Sequence, residues 1–272
     1  MYMKMHAFLA TNEEFDIEYQ RKKKQHKRFN PGHEQYPNNL TLSNLTFFLW
    51  VPTYLYSLQY PRTPRIRWGY LLERTVGIAV TITLYYIVLD QYVVPIMRDY
   101  PNRDPIGAYI DLLLPCLACI MIVFFMIWEY MLNWAAEVTR FADREFYRDW
   151  WNCTDMAEFA RKWNVPVHKF LQHYIFEGLH SFHGYSKPTA MLLTFVYSSV
   201  LHELALSSMV RNPKLFIFCM QMLQIPLIYF SKVVRLDRYP FLANLLWWFS
   251  LVYGVPLILT LYIQDKSLPI YN

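Results

Sequence analysis

Residues 109–134 read YIDLLLPCLACIMIVFFMIWEYMLNW, an apolar run in which Asp111 and Glu129 are the only formally charged side chains. A helix of this length more than covers the ~30 Å hydrocarbon layer of a bilayer. Further apolar runs near 75–97, 189–210, 214–231 and 241–263 give five candidate spans. A shorter run, Leu45 to Leu58, is interrupted by Pro52 and suits an interfacial or re-entrant segment better than a full crossing. The expected fold is all-α, a polytopic transmembrane helical bundle.

Composition agrees with that reading. Of 272 residues, 55% are hydrophobic, 18% aromatic and only 17% charged, with 7 glycines, which excludes a disordered or collagen-like chain. Four cysteines, two of them (Cys116 and Cys119) inside the longest apolar run, make neither a disulfide framework nor a two-pair zinc site. They read as small buried hydrophobes.

The first forty residues are polar and include RKKKQHKR at Arg21–Arg28, without the apolar core of a secretory signal. With five crossings, segments 1–74, 138–187 and 232–240 share one side and hold 21 of the 26 Lys and Arg residues. The positive-inside rule makes that side cytoplasmic and the C-terminus lumenal. The sequons at Asn39, Asn44 and Asn152 then face away from the lumenal glycosylation machinery. The basic run is read as a juxtamembrane cluster on an anionic leaflet, because no nucleic-acid recognition motif accompanies it.

His202 and Glu203 lie in MLLTFVYSSVLHELALSSMV, where ionisable groups are costly unless paired or facing a wet cavity. Two readings stand: a site, or a core histidine bonded to a carbonyl. Ser198 and Ser199 fall at i−4 and i−3 from His202, whereas Glu203 projects about 100° away and need not be its partner. Zinc-peptidase chemistry needs a second histidine at position 206, which is Leu, and no metal site is expected. His180 and His183 read as surface histidines in a loop. No G-x-S-x-G elbow is present, so Ser198 is expected to bond its own helix. A neutral imidazole acting as a general base survives this elimination as the enzymatic reading.

Upstream lies FYRDWWN at Phe146–Asn152, and RKWNVPVHKF follows with Asn164. Trp150 and Trp151 suit interfacial anchoring. Arg140, Arg144 and Arg148 recur at i+4 and are expected to line one helix face toward phosphates or lipid headgroups.

These segments resemble the membrane-bound O-acyltransferases, in the branch of the sterol and diacylglycerol O-acyltransferases. FYRDWWN is similar to that branch's FYxDWWN signature, and His202–Glu203 to its intramembrane His-Glu pair. YPRTPRIRWGY at 60–70 and WNVPVHKF at 163–170 resemble further branch segments, and RFADREFYRDWWNC, NVPVHKFL and QMLQIPL look closest to fungal sterol acyltransferases.

The resemblance implies an acyl-CoA:sterol O-acyltransferase of the endoplasmic reticulum, with diacylglycerol as the alternative acceptor and a non-catalytic membrane protein as the reading from another class. His202 takes the place of the catalytic base and Asn164 that of the second active-site residue. Phe146, Tyr147, Asp149, Trp150, Trp151 and Asn152 match the acyl-CoA motif, while His168, Lys187 and Ser198 match a possible acyl-CoA channel. Phe176 stands where relatives often carry Tyr. No permanently bound cofactor is implied; long-chain acyl-CoA is a co-substrate, and the partners are a sterol, membrane lipids and further copies in a dimer or tetramer. Residues 1–41 become a cytoplasmic segment, 42–264 the acyltransferase core and 265–272 a lumenal tail. Relatives have roughly nine spans, so the chain is expected to correspond to the C-terminal half to two-thirds of such a protein.

Overall fold

The computed structural model describes residues 1–25, 36–210 and 214–263; the side chains of 206–210 and 263 are outside the description, as are parts of the basic run and the expected lumenal tail. Among the described residues the fold is helical throughout, and extended backbone pairs only at one isolated bridge, Arg62 with Phe141.

Helix α1 (Tyr2–Lys24) packs on α2 (Leu42–Trp50). Thr41 starts α2 by accepting a hydrogen bond from Asn44 N, and the chain leaves the helix at Val51, just before Pro52, whose ring cannot continue it. The last carbonyls of this turn are collected by one side chain: Lys4 Nζ donates to the oxygens of Phe48, Leu49 and Val51. Phe48 and Val51 are fully buried, so the Leu45–Leu58 run is a short helix and a bent return docked beneath α1. Asn39 is buried as well, its amide donating to Asn12 Oδ1 and the Tyr56 hydroxyl.

The long apolar helices follow. Helix α3 (Trp68–Val88) continues through a π-helical turn, Leu89–Val93, into α4 (Val94–Asp99). Helix α5 (Pro105–Phe124) starts on the Asp104 cap, whose carboxylate accepts from Gly107 N at 2.8 Å, and runs through a second π-helical stretch, Phe125–Met131, into α6 (Leu132–Val138). Gly77 of α3 faces Tyr130 so closely that a Cβ would lie 2.2 Å from the ring, so only glycine lets these two helices approach.

After α6 the chain is irregular up to the 3-10 turn Trp150–Asn152, then forms α7 (Met156–Lys162) and α8 (Val165–Phe170), which becomes π-helical over Leu171–Phe182. Helices α9 (Lys187–Val210), α10 (Phe216–Met222), α11 (Gln224–Val233) and α12 (Pro240–Ile263) follow among the described residues. Helix α12 packs along α5.

Four stretches among the described residues are long and apolar enough to cross a membrane: Trp68–Asn102, Pro105–Val138, Phe216–Val233 and Pro240–Tyr262. They account for four of the five expected spans. The fifth, 189–210, is a continuous helix whose last side chains, 206–210, lie outside the description. Exposed Leu72, Val76, Val80 and Leu84 on α3 and Leu114 on α5 suit a lipid-facing surface.

The arginine series departs from expectation. The helix ends at Val138, Arg140 takes a left-handed conformation (φ 58°), and 141–149 is not helical, so Arg140, Arg144 and Arg148 share no helix face. Their partners explain the ending. The Arg140 carbonyl accepts from Thr63 N at 2.8 Å, Arg144 pairs with Glu137 and Arg148 with Glu145, so local pairing to 61–63 replaces the next helical turn.

Candidate active site

The FYRDWWN segment is held on both sides by main chain. Arg148 N donates to Lys162 O at 2.8 Å, and Val165 N donates to Phe146 O at 3.1 Å, which brings the segment against Asn164. Phe146 is buried. Tyr147 donates its hydroxyl to Glu129 Oε2 at 2.9 Å, which raises the phenol to about 12 through burial and the adjacent carboxylate. Asp149 is exposed and pairs with Lys162 Nζ at 2.9 Å, a bond that lowers its carboxyl below the usual range.

Interfacial anchoring does not describe Trp150. It is 2% exposed, with Trp163, Phe124, Trp247 and Trp248 at centroid distances of 4.8, 5.0, 5.8 and 5.9 Å. Burial of a large ring among rings is the stronger driving force, and it joins α5, α7 and α12 into one core. Trp151 stays half exposed, and its carbonyl accepts from Asn244 Nδ2 and Trp248 Nε1. Asn152 is exposed and closes the 3-10 turn through Asp149 O. The FYRDWWN segment therefore contains at least two side chains, Phe146 and Trp150, that pack inward.

Asn164 caps α8. Its Oδ1 accepts from Val167 N at 3.3 Å, while its amide nitrogen donates to no described residue. His168, one turn on, has its imidazolium disfavoured by burial and then by the nearby Arg161 and Arg148 charges, so its pKa is lowered.

On α9, the His202 Nδ1 lies 2.7 Å from Ser198 O. A carbonyl only accepts, so Nδ1 carries the proton and Nε2 of the neutral ring carries the lone pair. His202 is exposed on this chain. Glu203 is buried, 4% exposed, and accepts from Leu215 N at 2.9 Å, Phe218 N at 3.1 Å and the Tyr262 hydroxyl at 3.3 Å. It is not a partner of His202; it ties α9 to the start of α10 and to α12. The expected i−4 serine bond is made by Ser199, whose hydroxyl donates to Phe195 O, and not by Ser198. Lys187 is exposed at the head of α9; eleven and fifteen residues on, Ser198 and His202 lie within about 60° of it around the helix.

His180 is in the last turn of the π-helical stretch, whereas His183 lies just past it in the connection to α9, and their Nδ1 atoms engage the carbonyls of Tyr185 and Gly178. Phe176 stacks on His180 at 5.9 Å. No hydrogen bond joins Asn164 to His202 among the described residues. What connects them is the helical stretch 165–182, which Asn164 opens and whose π-helical part packs on α9.

Sequence reasoning passed over two carboxylates. Glu137 is fully buried between Arg67 and Arg144, with Nη2 contacts at 2.8 and 2.6 Å, and Glu129 engages both Arg74 and Tyr147. Acids at the end of an apolar run, opposite arginines opening the preceding one, were the available signal.

Fold and site together define a multi-pass helical membrane protein with an imidazole held in one tautomer beside buried polar anchors. The sequence model of the membrane-bound O-acyltransferase family matches residues 2–264, and the chain belongs to that family. It is 35% identical to a sterol O-acyltransferase 2 of Saccharomyces uvarum over 243 residues, covering 85% of this chain and 37% of the relative. A probable sterol O-acyltransferase 2 of Schizosaccharomyces pombe is 38% identical, covering 84% and 51%. A diacylglycerol O-acyltransferase 1 of Dictyostelium discoideum is 37% identical, covering 85% and 38%. The chain thus spans between about two-fifths and half of the length of these relatives.

Proposed function

We propose that this chain carries the base-bearing part of an acyl-CoA:sterol O-acyltransferase of the endoplasmic reticulum membrane. The observation that carries the reading is the 2.7 Å contact of His202 Nδ1 with Ser198 O, which leaves Nε2 free to accept a proton. In the reaction, Nε2 takes the proton of the sterol 3-hydroxyl as its oxygen attacks the thioester carbonyl. The tetrahedral oxyanion collapses, the C–S bond breaks, and the leaving thiolate of CoA receives the proton back from the imidazolium. The products are a steryl ester and free CoA, with neither an acyl-enzyme nor a metal.

Asn164 is assigned to the oxyanion. Its oxygen is spent on the α8 cap, so the amide N–H groups remain as donors of the kind that stabilise developing charge. The four-residue connection between Phe182 and Lys187 makes 165–182 and α9 a helical hairpin. At up to 1.5 Å per residue, both His202 and Asn164 stand roughly 20–27 Å from that turn, which supports a shared depth. His168, Lys187 and Ser198 are proposed along the acyl-CoA path, with the anionic CoA on the basic face. The exposure of His202 calls for a cover of lipid, substrate or further protein to exclude water.

Diacylglycerol is the second acceptor to consider, favoured by the Dictyostelium relative. The test is ester formation from radiolabelled oleoyl-CoA in membranes of cells that lack their own activity, with a sterol and diacylglycerol offered in competition. Steryl ester that disappears in His202→Gln supports the proposal. Labelled triacylglycerol alone would select the second acceptor, and ester made equally well by His202→Gln would end the base assignment.

A further inference from the structure

A cleft of about 710 Å³ opens where α6 ends and α3 begins, lined by Arg65, Ile66, Arg67, Trp68 and Arg140. It belongs to the α3 and α6 ends, whereas the proposed acyl-transfer site is carried by α8 and α9. Its walls come from the irregular 60–67 segment and the left-handed residue Arg140, stitched by Thr63 N to Arg140 O at 2.8 Å and by Arg140 Nε to Thr63 O at 2.9 Å. Three of the five lining residues are arginines and none is acidic.

The charge there is not cancelled. Glu137, the nearest buried carboxylate, serves Arg67 and Arg144 together, so that group of three keeps one net positive charge. Arg65 and Arg140 have no carboxylate within ion-pair distance among the described residues. The Arg67 main-chain N–H is already taken by Glu137 Oε1, so the attraction comes from guanidinium groups and not from the end of α3.

Position identifies the source of the anion. Trp68 is 73% exposed and opens the membrane-length stretch Trp68–Asn102, and Val138 closes the stretch Pro105–Val138. The cleft therefore lies where two apolar stretches meet water, the depth at which tryptophan collects and lipid phosphates stand. Planar guanidinium forks suit phosphate oxygens. We propose that the Arg65–Arg67–Arg140 cleft is a binding site for the phosphate of an anionic membrane lipid.

The experiment uses the full chain in dodecyl maltoside, titrated with phosphatidic acid, with phosphatidylcholine, or with inorganic phosphate, and read by native mass spectrometry and thermal melting. A saturable phosphatidic acid adduct is expected, weakened about five-fold for each arginine removed in Arg65→Gln and in the Arg65→Gln/Arg140→Gln pair. Because Arg140 also pins the Thr63 loop, Arg65→Gln alone, whose side chain makes no described hydrogen bond, keeps the test independent of folding. Removing the same charge elsewhere, in Arg98→Gln on α4, should leave the adduct unchanged. Equal binding of phosphatidylcholine, wild-type affinity in Arg65→Gln, or inorganic phosphate reproducing the whole thermal shift would each overturn the lipid assignment.

Discussion

The carboxylate of Glu203 accepts the Tyr262 hydroxyl at 3.3 Å across 59 residues of sequence, which fastens the helix bearing His202 to α12, the last helix among the described residues. The same carboxylate takes the first free main-chain N–H groups around α10. A residue adjacent to the proposed base therefore works as its mount.

Removing that acceptor should be expensive. Glu203→Leu is expected to lose about 1–3 kcal/mol for each donor left unsatisfied, because the buried carboxylate is the acceptor that these groups share. Glu203→Gln keeps an acceptor and should retain most of the stability. Thermal melting in detergent checks the order, and equal melting temperatures for the two variants would contradict the role.

The contact between Gly77 and Tyr130 yields a second expectation. A Cβ at position 77 meets the ring at 2.2 Å, so Gly77→Ala should destabilise by roughly 1–3 kcal/mol as the helices are forced apart. Tyr130→Ala should relieve the added cost, and a double-mutant cycle should show clear coupling between the sites.

Within FYRDWWN the two tryptophans should behave differently. Trp150 lies in a core of rings, and Trp150→Ala should cost about 3–5 kcal/mol. Trp151 is 42% exposed, and truncating it should cost far less stability, since its carbonyl makes the contacts to α12. Unfolding of the purified variants decides. Loss of acyl-CoA binding by Trp150→Ala without loss of stability would mean that the ring meets the ligand directly.

His168 provides a pH dependence. Its folded pKa lies below the ordinary histidine value because burial, and then two arginines, oppose the charged ring. The unfolded chain therefore binds the proton more readily, and stability falls as pH drops from the unfolded value near 6.5 through the folded one. Melting temperatures between pH 7.5 and 5 should decline less steeply in His168→Gln than in the parent chain.

Helical content, membrane character and four of the spans were legible in the sequence because an apolar run of that length has few other ways to satisfy its backbone. The His202–Glu203 pair and the FYRDWWN segment were equally visible, whereas His202 meets the main-chain oxygen of Ser198 and not a serine hydroxyl. The i+4 recurrence of Arg140, Arg144 and Arg148 misled, because a helix that ends at Val138 leaves no common face. Nothing local in the sequence announced that ending; it depends on Pro61–Thr63 arriving from far away to take the hydrogen bonds.

The order of residues alone determined which segments seek lipid and which side chains can do chemistry, since those follow from transfer free energy and functional groups. Tertiary structure decided their assignments: that Trp150 packs inward, that Glu203 braces α9 instead of pairing with His202, and that three arginines share one cleft. Each depends on which distant groups come within a few ångströms, and hydrogen bonds and ring contacts have no strength beyond that range.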